Sequence, residues 1–73
     1  MYPFGKMMRK LIVEYDTTQA DIVRATGIKK QNLSWICMGK TQYPSFETCK
    51  QIADYFGMTL DELWERLAEE TDS

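Results

Sequence analysis

Residues 18–40, TQADIVRATGIKKQNLSWICMGK, hold two short helical patterns separated by one glycine-containing turn. Thr18 suits the position before a helix, because its hydroxyl can accept a bond from an N–H that the first turn leaves unpaired. Asp21, three residues on, puts negative charge beside the positive end of the helix dipole. Ile22, Val23 and Ala25 supply apolar surface, and Gly27 closes the segment as a residue that tolerates a left-handed backbone. The pattern predicts a helix of about two turns over Thr18–Thr26. A second pattern starts at once: Ile28, Leu33, Ile36 and Cys37 share a face, and Gly39 supplies the stop. Helix pairs joined this closely cross at roughly 90–120°.

The same punctuation continues outward. On the N-terminal side, Met7, Met8, Leu11, Ile12 and Tyr15 recur at steps of three and four, which predicts a helix over Lys6–Tyr15 with one buried face. Asp16 and Thr17 break it. On the C-terminal side, Gly39–Ser45 is rich in turn residues, and Ser45 is a good cap for a helix burying Phe46, Cys49, Ile52, Ala53 and Phe56. Gly57 ends that helix. Thr59-Leu60-Asp61-Glu62 fits a capping box, in which Thr59 and Glu62 each satisfy an orphan N–H. Leu60, Leu63, Trp64 and Leu67 form the stripe of a last helix. The expectation is an all-α, compact bundle of about five short helices with no strand. It is one domain over residues 1–73, with a core over 6–67 and a frayed acidic tail over 68–73.

A chain of 73 residues has room for a single small core, and helices suit it because their contacts are local. No apolar run approaches the roughly 18 residues needed to span a bilayer. The start, MYPFGKMMRKLIVEY, lacks an apolar stretch followed by a small-residue cleavage site, so the expected location is the cytoplasm. Cys37 and Cys49 are the only cysteines, and there is no histidine to complete a zinc set. They read as two reduced thiols used as small apolar residues, with a single disulfide as the alternative. No metal, cofactor or small-molecule ligand is indicated.

The net charge of −2 is an average of unlike parts. Residues 1–60 carry eight basic and five acidic side chains, a net +3, whereas residues 61–73 carry six acidic and one basic, a net −5. Local fields outweigh the average when a partner is charged.

At this point the motif resembles a known family. Thr18–Lys40 is similar to the helix-turn-helix of the lambda-repressor and Cro superfamily, also called the xenobiotic-response-element type. Tyr43–Leu63, YPSFETCKQIADYFGMTLDEL, resembles that family's continuation, and the resemblance runs from about Lys6 to Leu67. It implies a lambda-repressor-like DNA-binding domain that places the helix starting near Lys29 in the major groove of duplex DNA. Carried over, the pattern implies that Thr18 and Gln19 touch phosphate. Lys29, Lys30, Gln31, Asn32 and Trp35 form the reading face, and Lys40, Thr41, Gln42 and Tyr43 approach the backbone. The chemistry agrees: lysine suits guanine acceptors, Gln and Asn pair with adenine, and lysines and helix N-termini suit phosphates.

The resemblance also implies a homodimer, with Trp64 and Leu67 as interface residues; the competing reading is that they only finish the core. Four positions depart from the pattern. Lys29 stands where Ser or Thr usually caps the second helix. Val23 replaces a common alanine, Thr26 a buried Leu or Val, and Cys37 a glutamate. Trp35 is unusual for that face, and three readings stay open: contact with DNA, contact with a protein partner, or folding back on the domain.

Catalysis is not expected, since there is no histidine, phosphate loop or metal-ligand set. The expected function is sequence-specific DNA binding, as a transcriptional repressor. The alternative is a protein-interaction module on the same fold, with weak or no operator binding.

Overall fold

The structure, a computed structural model, describes residues 1–71. Its helices are α1 (Pro3–Glu14), α2 (Gln19–Thr26), α3 (Lys30–Cys37), α4 (Phe46–Tyr55) and α5 (Leu60–Thr71), with no strand among the described residues. The all-α expectation is met.

Local chemistry sets most of the helix ends. Thr18 Oγ1 accepts the Asp21 N–H at 3.1 Å and Ser45 Oγ accepts the Thr48 N–H at 3.3 Å. In the capping box, the Thr59 N–H donates to Glu62 Oε1 at 2.9 Å while the Glu62 N–H donates to Thr59 Oγ1 at 3.1 Å. Each bond satisfies a donor that the first helical turn leaves open. Lys29, at the N-cap of α3, makes no side-chain cap bond, as its residue type predicts.

One core joins all five helices. Phe4, Met7, Met8 and Leu11 of α1 meet Ile22, Leu33, Ile36, Cys49, Ile52 and Leu63, all essentially without solvent exposure. α1 packs on both α3 and α5, while α2 packs on α3 and α4. Cys37 and Cys49 are both buried and free, so the reduced-thiol reading holds over the disulfide. Burial pushes the Cys37 thiol up to about 11 and also raises that of Cys49, which keeps both neutral at ordinary pH.

Several sequence expectations are corrected. α1 starts at Pro3 rather than Lys6, because proline at the first helical position sacrifices no intrahelical bond. The core therefore reaches back to Phe4. Tyr15 is the exposed C-cap of α1 rather than part of its buried face. Phe46, expected inside, is 72% exposed. It opens α4 directly after the Ser45 cap, on the solvent side of the stripe formed by Cys49, Ile52 and Ala53. Ala25 is likewise exposed. The tail expected to fray from residue 68 stays helical to Thr71, and the buried carboxylate of Glu70 pairs with Lys10 Nζ at 3.0 Å. Asp72 and Ser73 lie outside the described residues.

Candidate nucleic-acid interface

The two helices of the motif are held by a turn with more hydrogen bonding than its sequence suggests. Gly27 has φ +79°, and a Cβ built there would meet nothing within 4 Å. Glycine is thus needed for its backbone angle and not for room. The Gly27 N–H donates to the Val23 carbonyl at 2.9 Å and closes α2. Thr26 Oγ1 donates to the Ile22 carbonyl at 2.6 Å and accepts the Ile28 N–H at 3.2 Å. From α4, Gln51 Nε2 donates to the Thr26 carbonyl at 3.1 Å. Val23 is half-buried against the core. The hydroxyl at position 26 therefore replaces apolar filling with a bond that spans the turn, and Gln51 ties the turn to the rest of the bundle. Sequence reasoning flagged Thr26 only as a departure and missed Gln51 altogether, since nothing in one chain announces a contact between residues 25 positions apart.

α3 leaves this turn with its apolar face, Leu33, Ile36 and Cys37, turned inward and its polar face outward. Lys29, Gln31, Asn32 and Trp35 together line one shallow hollow of about 200 Å³. Lys30 is exposed beside them. Trp35 is 48% exposed. It is absent from the ring–ring contacts among the described residues, which involve Phe4, Tyr15, Tyr43, Tyr55, Phe56 and Trp64. About half of this indole's surface is therefore open to a partner. Thr18 and Gln19 are exposed at the start of α2. Lys40, exposed in the following loop, is joined to α3 by a 3.1 Å bond from its N–H to the Trp35 carbonyl.

Charge favours an anion on this surface. Asp21 is the only acidic residue between Thr17 and Phe46, against Arg24, Lys29, Lys30 and Lys40. Asp21 is itself occupied: hydrogen bonds from Thr18 and Arg24 hold its carboxyl below the usual range. Thus the one local carboxylate is paired, and the lysines of α3 and the loop dominate the field.

The loop divides. Gln42 lies in a crevice with Tyr2, Pro3, Phe4 and Leu67. Tyr43 packs edge-on against Trp64, with ring centroids 6.0 Å apart, and Trp64 in turn meets Phe4 at 6.4 Å. Both residues are exposed and lie beside α5, whereas Lys40 and the half-buried Thr41 precede them in the loop. Leu67, expected as an interface residue, is 7% exposed: it belongs to the core and its outer edge lines the groove beside Trp64. Trp64 is 41% exposed, and with Tyr43, Pro44 and Phe46 it lines an open apolar groove of about 580 Å³.

A family model described as a Cro/C1-type HTH DNA-binding domain matches residues 7–69. The chain belongs to the Cro/C1-type helix-turn-helix family. This Cro/C1-type domain accordingly binds double-stranded DNA and serves transcription regulation. No curated protein and no solved structure matches it. Among the described residues, no helix is long and apolar enough to cross a membrane.

Proposed function

We propose that this chain is a sequence-specific transcriptional repressor, acting in the cytoplasm, that inserts α3 into the major groove of its operator. The observation that carries the reading is the outer face of α3, where Lys29, Gln31, Asn32 and Trp35 share one exposed hollow next to Lys30. Amide and ammonium groups at the start of a helix have the donors and acceptors that base edges require. Thr18 and Gln19 on α2, with Lys40 in the loop, are suited to the phosphates on either side, which fix register.

Two copies would read half-sites about 34 Å apart. The apolar groove lined by Tyr43, Pro44, Phe46 and Trp64 supports a homodimer through this face, since an exposed aromatic patch of this kind is expensive to leave in water. Phe46 joins Trp64 and Leu67 in lining this face.

The test is selection of binding sites from a pool of random duplex DNA. Enrichment of a roughly palindromic sequence supports a dimeric operator reader. Lys30→Ala and Gln31→Ala should then weaken specific binding more than Lys50→Ala, a change on α4 away from the hollow; equal losses from all three contradict the assignment. The second reading, a protein-interaction module, is favoured by the half-exposed indole of Trp35. It predicts partner binding with little response to salt, whereas phosphate contacts release counterions and fall steeply as salt rises.

A further inference from the structure

Trp35 does not fit the rest of the α3 surface chemically. Its neighbours Lys29, Gln31 and Asn32 are all polar, and Trp35 lies four residues after Gln31 and three after Asn32, so the three side chains sit on one helical face a turn apart. The indole has a single N–H donor and no acceptor, so it cannot form the two-bond pairs by which amides and guanidinium groups identify a base. What it offers to the hollow is an apolar wall, half in solvent and set among polar tips. In the major groove one base feature is apolar, the C5 methyl of thymine, and it projects from an edge that otherwise shows acceptors and donors. A hollow with polar tips and one aromatic wall is the complement of that edge.

From this geometry we infer that Trp35 determines specificity by reading the 5-methyl group of a pyrimidine, with a thymine required opposite the second turn of α3. The inference rests on the proposal that α3 reads DNA and adds which chemical group its odd residue recognises. The apolar contact comes from Trp35, while Gln31 and Asn32 supply the polar contacts one turn earlier. The backbone of Trp35 is anchored: its carbonyl accepts the Lys40 N–H, and Ile36 and Cys37, next in sequence, are buried in the core. The side chain therefore has a fixed base from which to project.

The experiment uses the full chain and the duplex selected from the random pool. Each thymine of the site is replaced in turn by uracil, which lacks only the methyl, and affinity is measured for the native protein and for Trp35→Ala. One thymine per half-site should stand out, its replacement weakening native binding about fourfold, the scale of one buried methyl. At that position Trp35→Ala should bind thymine and uracil equally, while discriminating at other positions as the native protein does. In a duplex with cytosine at that position, 5-methylcytosine should recover binding for the native protein and not for Trp35→Ala. Trp35→Phe, which keeps an aromatic wall, should retain the preference, and it preserves the test if the alanine variant folds poorly. Indifference to uracil at every thymine of an enriched site overturns the inference and leaves the DNA-reading proposal standing. A uracil effect that survives in Trp35→Ala does the same. Failure to enrich any site, together with Trp35-dependent binding of a protein partner, overturns both.

Discussion

At the scale of single residues, the least conspicuous position in the chain is among the most constrained. Gly5 lies in the first turns of α1, where alanine would ordinarily raise helix stability by about 1 kcal/mol. Here a Cβ would sit 2.5 Å from the Gly39 nitrogen and 2.8 Å from the Ile36 carbonyl oxygen. Those atoms are backbone at the end of α3 and cannot rotate aside. Gly5→Ala should therefore lower stability by about 1–3 kcal/mol, the usual cost of overpacking, which urea denaturation would register as a lower midpoint. A gain would mean that α1 can slide on α3 without penalty. Thr26 makes a second case. Thr26→Val restores the shape expected of this turn but leaves the Ile28 N–H without its acceptor, and Ile28 is buried. A loss of about 1–3 kcal/mol is expected, with Thr26→Ser recovering most of it because the hydroxyl returns. Neither position could be valued from sequence. Gly5 stood outside a helix thought to begin at Lys6, and Thr26 looked like an ill-fitting substitute until its two hydrogen bonds were visible.

At the scale of helices, the sequence was informative wherever the governing physics is local. Thr18, Ser45 and the Thr59–Glu62 pair bond within three residues of themselves, so residue type and spacing were enough to find three of the five starts. Phe46 was misplaced because a periodic stripe does not reveal whether its first member lies under another helix or beyond the edge of the core. The missing cap of α3 was also legible, and it sets up a trade between folding and binding. Lys29 occupies the N-cap without a cap bond while adding charge to the proposed DNA face. Lys29→Ser should raise stability by about 1 kcal/mol through a new bond to the first turn. The same change removes one cation from the reading face and should flatten the salt dependence of DNA binding by about 0.9 in the logarithmic slope, the effect of one fewer charge displacing counterions. Denaturation and salt titration on one variant thus report with opposite signs. A more stable protein with an unchanged salt slope would mean that Lys29 displaces no counterion when DNA binds and is only a poor cap.

At the scale of the whole molecule, the charge division legible in the sequence has a structural counterpart in α1. Two ion pairs join α1 to α5, Lys10 with Glu70 at 3.0 Å and Arg66 with Glu14 at 2.9 Å, so part of the C-terminal acidity is satisfied within the fold. Asp61 and Glu65 remain exposed on α5, which packs on α1 and α4, whereas α3 packs on α1 and α2. The acidic helix and the reading helix thus both pack on α1 and have different second neighbours, an arrangement that the charge count alone did not contain. Charges more than a screening length from the phosphates act on DNA only through the long-range field, and that length shrinks from about 30 Å at 0.01 M salt to about 8 Å at 0.15 M. The double change Asp61→Asn and Glu65→Gln removes two negative charges and should strengthen binding to non-specific duplex several-fold near 0.01 M salt, with the gain fading at 0.15 M. A change at Lys40 should behave differently, since loss of a direct phosphate contact lowers affinity across the salt range and reduces the slope. Fluorescence anisotropy with a labelled duplex at the two salt concentrations separates these behaviours. An advantage for the double variant that persists at 0.15 M would place α5 within reach of the duplex, and the orientation of α3 in the groove would then have to be redrawn.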